Sequence, residues 1–141
     1  MMKYYFSILI LFLLFSCGSK EAQPIKLNVD NCDFCGMSIA DGKYAAEVIT
    51  EKGRAYKFDD ISCMMKYCKE NSDTKMGAYF VNDFAQDNVL IPTNAAFFLS
   101  GGAIQSPMRG GIIAFSKKAD AKEMAIKLEA EPITWKAILS K

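Results

Sequence analysis

The sequence contains no histidine among its 141 residues, and this absence excludes several kinds of site at once. Without imidazole there can be no Ser-His-Asp or Cys-His nucleophile, no histidine proton shuttle and no histidine metal ligand. An excess of charge is also missing, since 17 basic residues face 16 acidic ones. A balanced charge predicts neither a nucleic-acid-binding surface nor a polybasic membrane patch. Any reactive site must therefore be built from other side chains.

Long apolar runs are also rare, and the run near the start of the chain is too short for a comfortable transmembrane helix. It covers residues 8–15, after Lys3, and leads into the segment "LFSC", which ends at Cys17. A positive start, an apolar run and a small residue before cysteine are typical of a bacterial lipoprotein signal. We therefore expect a signal peptide over residues 1–16, lipidation at Cys17 and a polar tether over residues 17–28. An ordinary secretory signal or an uncleaved anchor is the alternative.

The predicted lipid anchor has consequences for location and charge. It would make the protein an exported, membrane-anchored lipoprotein on the periplasmic side or at the outer membrane, where disulfides can form. Loss of residues 1–16 would remove one charged residue, Lys3, and would leave the basic and acidic residues equal in number. The chain after the tether, residues 29–141, has the size of one compact domain or of two small units that share a core.

Strand and helix patterns follow one another in the same order in two halves of this domain. In the first half, the pattern predicts a hairpin with its turn at Gly53, then a helix capped by Asp59 or Asp60, then a third strand. We predict an α+β fold of two tandem ββαβ units, residues 29–88 and 89–141. The predicted elements are the hairpin over residues 44–58, helices over 59–71 and 118–130, and strands over 77–83, 94–101, 110–116 and 131–135.

A cluster of sulfur side chains lies at the start of the domain, in the stretch "CDFCGM". Cys32, Cys35 and Met37 fall within six positions of one another. A Cys₄ zinc site would need Cys63 and Cys68 as its second pair. These two cysteines are five residues apart on a predicted helix, so their side chains point about 140° apart. Cys68 also falls on the apolar face of that helix, where a small buried thiol is the ordinary expectation.

Two further interpretations use the same cysteines without a metal. Thiol-disulfide exchange at Cys32 and Cys35 would need a strand before the pair and a long helix after it, whose N-terminus lowers the thiol pKa. Gly36 and Gly42 bracket the only possible helix, so an oxidoreductase of this kind fits poorly. A structural disulfide, between Cys32 and Cys35 or from either to Cys63, suits an exported protein. It would make the chain a stapled interaction module, with no role for the neighbouring methionine.

The fourth interpretation is a site for Cu(I), a soft ion that prefers thiolate and thioether ligands. Cys35 and Met37 are separated by one glycine, so the loop can direct both sulfurs to one ion. Met108 offers another ligand, because it lies among proline and glycine residues that indicate a turn; a loop residue covering the edge of the core is the alternative. Cys63 lies off the apolar face in the first helical turn, where the helix dipole would favour a thiolate. A pocket without histidine and poor in carboxylates would discriminate against Cu(II) and harder ions.

Four stretches of the chain together resemble the NosL family of copper-binding lipoproteins, which are associated with nitrous oxide reductase assembly. They are "CDFCGMSIADGKYAAE", "GRAYKFDDISCMM", "AYFVNDF" and "SPMRGGIIAF", in family order behind a lipoprotein signal. The resemblance implies a fold of two ββαβ units related to the N-terminal part of organomercurial lyase. It implies a protein that is not an enzyme but a Cu(I) metallochaperone, which passes copper to the machinery that builds the copper centres of nitrous oxide reductase.

The resemblance also implies a ligand set and partners. Because the chain has no histidine, its copper site would be all sulfur or completed by a partner protein. The expected partners are the copper ion, a copper-accepting protein and, through the anchor, the membrane. Arg109 stands directly after the loop methionine, where the family leads us to expect glycine. The expected metal ligands are Cys35 and Met37 of the Cys-Gly-Met motif and Met108 of the Pro-Met loop, with Cys32 or Cys63 assisting.

Overall fold

The structure is a computed structural model that describes residues 20–141. The predicted signal peptide and the lipidation site at Cys17 lie outside the described residues. Within the described range, no helix combines the length and the apolar character needed to cross a membrane. The elements are strands β1 (Ala46–Thr50), β2 (Ala55–Phe58), β3 (Met76–Asn82), β4 (Leu90–Pro92), β5 (Phe97–Ser100), β6 (Ile112–Phe115) and β7 (Glu131–Ile133), with helices α1 (Ile61–Glu70), α2 (Lys118–Leu128) and α3 (Trp135–Leu139).

The strands of the described range form two antiparallel sheets. One sheet has the order β2-β1-β3-β4 and the other the order β6-β5-β7. In each sheet the first strand of a ββαβ unit lies at the centre, between its hairpin partner and the strand that follows the helix. The predicted α+β fold, with its repeated order of elements, is therefore confirmed.

Strand β4 was not predicted from the sequence. It contains three residues and pairs with β3 at the edge of the first sheet. Such a short segment cannot show a period-two pattern, and Pro92, which lacks an N–H, is tolerated only because the strand is at an edge. The predicted division between residues 88 and 89 assigns β4 to the second unit, but its hydrogen bonds join it to the sheet of the first.

Helix α1 lies between the two sheets and contributes to their common core. It contacts β1 and β2 of the first sheet and β6 of the second. Ile61 and Met64 are buried, and Met65 and Cys68 pack half-buried against the same cluster. These four residues are the apolar face expected from their helical spacing. The first turn of α1 is thereby held where the two halves of the chain meet.

The segment before the first strand is packed against the domain. Ile25 is buried with Ile39 and Ala45, and the carbonyl of Ile25 accepts a hydrogen bond from Nδ2 of Asn88 at 2.8 Å. Sequence reasoning placed this segment in a tether over residues 17–28. From residue 23 onward that stretch contacts the first sheet, because an isolated isoleucine among polar residues finds an apolar pocket there.

Glu47, at the centre of the first sheet, is anchored by the same N-terminal segment. It is fully buried, and its Oε1 accepts the N–H of Gln23 at 2.8 Å, whereas Oε2 has no hydrogen-bond partner among the described residues. Burial raises the pKa of Glu47, against the hydrogen bond from Gln23 and the charge of Lys57, which lower it. The ionised carboxylate therefore costs stability in the folded chain.

We expect Glu47→Gln to flatten the pH dependence of stability on the acid side. A carboxyl whose pKa is higher in the folded than in the unfolded chain contributes stability that is fully present below its unfolded pKa of about 4.3 and is lost as pH rises through the folded value. The free energy of unfolding, measured by urea titration between these limits, should fall with rising pH in the natural chain and much less in the variant. Glu51→Gln, at an exposed position, is the control; equal slopes in the natural chain and Glu47→Gln would contradict this expectation.

Candidate metal centre

The loop over residues 31–38 folds tightly on itself and carries the Cys-x-x-Cys pair. Its two ends are joined by an antiparallel bridge. Inside the loop, the N–H of Cys32 donates to the carbonyl of Met37 at 2.8 Å, and the N–H of Gly36 donates to the carbonyl of Cys32 at 2.9 Å. Gly36 has a φ of +77°, which glycine adopts without steric cost. The sequence therefore forms a compact turn here, with both cysteine side chains in one small loop.

Strand β2 fixes this loop to the first sheet. The N–H of Asp33 donates to the carbonyl of Lys57 at 2.8 Å, and the N–H of Lys57 donates to Oδ2 of Asp33 at 2.7 Å. Because β2 ends one residue before Asp59, this docking places the loop beside the start of α1.

Three thiols and one carboxylate converge at this point. The Sγ atoms of Cys32, Cys35 and Cys63 and an oxygen of Asp59 all lie within 4.8 Å of one another. The S–H of Cys35 donates to the carboxylate of Asp59, with Sγ 3.6 Å from each oxygen. Cys63, Cys32 and Asp59 are buried, whereas Cys35 is half-buried. The cluster can hold one metal ion and leaves one thiol within reach of an incoming molecule.

Burial governs the protonation of the two inner thiols. It raises the pKa of Cys63 far above its ordinary value, and the neighbouring Cys32 and Asp59 raise it further. Burial also raises the pKa of Cys32, against hydrogen bonds from backbone N–H groups. The expectation that the helix dipole would favour a Cys63 thiolate is therefore wrong, because desolvation under the covering loop outweighs the dipole. A metal ion that binds either thiol would have to displace its proton.

Asp59 is the member of the cluster that sequence reasoning missed. We expected a pocket poor in carboxylates, but the side chain of Asp59 is buried among the thiols. The available signal was the pair of aspartates in "FDDISC". One aspartate is enough to cap a helix, so the second, which follows a buried strand residue, had no structural purpose in the predicted fold.

Cys68 lies outside this cluster, as its position on α1 predicted. It is half-buried, and burial raises the pKa of its thiol to about 11. The four cysteines therefore do not assemble into the Cys₄ zinc set. All four cysteines of the described range are free thiols.

The loop geometry does not favour thiol-disulfide exchange either. Between Cys35 and β1 the described residues contain no helix whose N-terminus could stabilise a thiolate. Cys32 is buried with a raised pKa, which is the opposite of what an attacking thiol requires.

The loop that carries Met108 is held at the start of α1 by Asp60. The Oδ1 atom of Asp60 accepts the N–H of Ser62 at 2.8 Å and so caps the helix. Its Oδ2 atom accepts the N–H of Met108 at 3.0 Å. Met108 is half-buried and packs against the core that contains Cys32 and Cys63. The backbone of Met108 is thus bonded to the residue that follows Asp59.

The residues after Met108 explain how this loop can approach the helix so closely. A Cβ on Gly110 would lie 2.6 Å from both Oδ1 of Asp60 and Cβ of Ser62, so only glycine fits. Arg109 has a φ of +56°, in the left-handed region. The expectation of glycine at this position has a physical basis, since a non-glycine residue there costs about 1–2 kcal/mol.

Met37 lies at the outer side of the cysteine loop. Its side chain is 52% exposed, the value of a large apolar residue that faces solvent. The structure therefore brings together Cys32, Cys35 and Cys63, puts the Met108 loop beside them through Asp60, and leaves Met37 at the surface.

Comparison with known proteins agrees with this architecture. The sequence model of the NosL family matches residues 24–138. The chain belongs to the NosL family. The crystal structure of the copper chaperone NosL from Shewanella denitrificans is similar, with 20% sequence identity, a TM-score of 0.72, and coverage of 84% of this chain and 95% of that one. At this identity the likeness shows the shared fold. No curated protein matches the chain.

The match to the NosL family also covers part of the N-terminal segment. The match begins at residue 24, so it includes Ile25 and the stretch that packs against the first sheet. The Cys-x-x-Cys loop, Asp59 and the Met108 loop all lie within the matched residues.

We expect Asp60→Asn to destabilise the chain by about 1–3 kcal/mol, because a half-buried N–H group loses its acceptor. An amide offers one acceptor oxygen, so it can serve the N–H of Ser62 or that of Met108 but not both. The free energy of unfolding from urea titration measures the effect. Asp73→Asn removes the same charge at an exposed position and should leave stability unchanged. Equal stability of the two variants would show that the Met108 loop does not depend on Asp60.

Proposed function

We propose that this chain is a metallochaperone, not an enzyme, that binds one Cu(I) ion at the cysteine cluster. The observation that carries the proposal is the convergence of Cys32, Cys35 and Cys63 within 4.8 Å beside the Met108 loop. Soft sulfur ligands select Cu(I) over harder ions. The similarity to the copper chaperone NosL from Shewanella denitrificans supports copper as the metal.

The charge of Asp59 limits how many thiolates the bound ion can take. One thiolate neutralises Cu(I), and each further thiolate adds a negative charge to a buried site that already contains a carboxylate. Thioethers donate without adding charge. We therefore propose Cys35 with Met37 and Met108 as ligands, assisted by one of the buried thiols, Cys32 or Cys63.

Exposure of the ligands suggests the route of transfer. Cys35 is half-buried and Met37 is largely exposed, so an acceptor's ligand can reach the ion from this side. With four sulfur ligands proposed, a neutral thioether such as that of Met37 would give up its place as the incoming ligand binds. Transfer would then proceed by ligand exchange, with the assisting buried thiol releasing the ion last.

The recipient and the location are further parts of the proposal. The family's association with nitrous oxide reductase supports delivery of copper to the machinery that assembles its copper centres. The "LFSC" segment supports lipidation at Cys17 and attachment to a membrane outside the cytoplasm.

Anaerobic Cu(I) titration of the reduced chain against a competing chelator tests the site. Cys35→Ser should weaken Cu(I) binding by more than about 100-fold, and Met37→Leu and Met108→Leu by about 10- to 100-fold, the range seen for supporting groups of metal sites. Leucine keeps the volume of methionine and removes only the thioether, so the fold should persist.

Two matched controls come from sulfur residues outside the site. Cys68→Ser and Met124→Leu alter a helical thiol and a helical thioether that lie away from the cluster, and neither should change Cu(I) affinity. Failure of the natural chain to bind Cu(I) would overturn the proposed function. Unchanged affinity in Met108→Leu would remove that residue from the site, and reduction of insulin disulfides by the chain would favour an oxidoreductase.

A further inference from the structure

A groove runs between the first and last helices, beside the loop that carries Met108. Its volume is about 300 Å³. The side of the groove formed by the second half of the chain comes from β6 and α3, and the other side is α1. The groove is lined by Ser62, Met65, Lys66, Lys69, Gly110, Ile112, Ile138 and Lys141.

The charges around this groove have one sign. Lys66 and Lys69 are exposed on α1, three residues apart and so on one side of the helix, and Lys141 faces the groove from beyond α3. None of the lining residues is acidic. Glu70 follows Lys69 along α1 but does not line the groove. This local excess contrasts with the balance of charges in the whole chain.

The inner surface of the groove is apolar. Met65 is half-buried there, and Ile112 and Ile138 form the floor. An apolar floor within a basic rim is complementary to an apolar side chain that is flanked by carboxylates.

Two residues that line the groove are close in the chain to predicted ligands of the candidate metal centre. Ser62 directly precedes Cys63 on α1, and Gly110 follows Met108 by two residues. A segment bound in the groove would therefore contact the two elements that carry predicted ligands from the two halves of the chain.

We propose that the protein that accepts Cu(I) docks in this groove through an apolar side chain flanked by carboxylates. This inference rests on the proposed copper function and adds the chemistry of the partner. Docking would hold the acceptor against α1 and the Met108 loop, the elements that carry Cys63 and Met108, and the lysines would steer it there by charge. A membrane is a poorer occupant, because Ile126, the most exposed large apolar residue of the described range, lies on another helix.

Two synthetic peptides that differ only in charge test the docking. Each contains one cysteine and one methionine for copper, and a leucine flanked by glutamates in one peptide and by lysines in the other. Stopped-flow measurement of Cu(I) transfer from the full chain should give about tenfold faster transfer to the glutamate peptide at low ionic strength. High salt should remove most of that difference.

Substitution of the lysines at the rim of the groove tests whether they cause the difference in transfer rate between the two peptides. Lys66→Gln/Lys69→Gln should make the two peptides accept copper at similar rates, with unchanged Cu(I) affinity against a chelator. Lys118→Gln/Lys122→Gln removes the same charge from α2 and should keep the difference. The docking site would be overturned if the natural chain transferred Cu(I) to both peptides at equal rates. It would also be overturned if both double variants reduced the difference between the peptides by the same amount.

Failure of docking can be separated from failure of copper binding. Fluorescence anisotropy of a labelled glutamate peptide with the copper-free chain reports docking without the metal, and we expect binding that Lys66→Gln/Lys69→Gln weakens. If the chain binds the peptide but takes up no Cu(I), the copper function and its acceptor are both overturned. If that variant loses only binding to phosphatidylglycerol vesicles, the groove is a membrane contact and the proposal is wrong.

Discussion

The buried carboxylate of Asp60 joins the two halves of this molecule, and the shape of the candidate metal centre depends on it. One oxygen caps α1 of the first unit, and the other holds the backbone of Met108 in the second. A carboxyl group can accept both hydrogen bonds because it has two oxygens, one for each donor. Gly110 permits the close approach that the second bond requires, since a side chain there would overlap Asp60. Asp60 thus positions the loop that carries Met108, whereas the side chain of Asp59 lies among the thiols.

Sequence reasoning found both hairpins, α1, α2 and the strands that follow these helices, but it found neither β4 nor α3, nor everything that surrounds the site. The hairpin, the cap of α1 and its apolar face were predictable, because local periodicity and capping chemistry determine them. β4 and the packing of Ile25 were not, because a three-residue strand and a single buried isoleucine have no periodicity to detect. The protonation of Cys63 was predicted wrongly from local structure alone. Whether a thiol in the first turn of a helix is exposed depends on the loop that covers it, and that loop, residues 31–38, is distant from Cys63 in the chain.

Asp59 shows why the ligand set of a buried site cannot be read from its sulfur residues alone. The thiols lie on the loop over residues 31–38 and on α1. Asp59 lies between the end of β2 and the start of α1, and its side chain contacts this group of thiols. Its negative charge favours a cation in the cluster and at the same time penalises every additional thiolate. A histidine could have relieved that conflict as a neutral ligand, but the chain has none. Under the proposed function, the thioethers of Met37 and Met108 would supply neutral sulfur donors instead.

The sulfur side chains of the candidate site differ in their burial, from fully buried to largely exposed. Cys32 and Cys63 lie inside with raised thiol pKa values, Cys35 is half-buried and Met37 is largely exposed. An ion that bound only the inner thiols would have to displace two protons and enter a desolvated pocket, which favours retention over transfer. An ion held toward Cys35 and Met37 displaces fewer protons and remains open to a partner's ligand. Under the proposed function, the outer sulfurs of Cys35 and Met37 would favour transfer of the ion to a partner. A buried thiol would slow the loss of the ion to solvent.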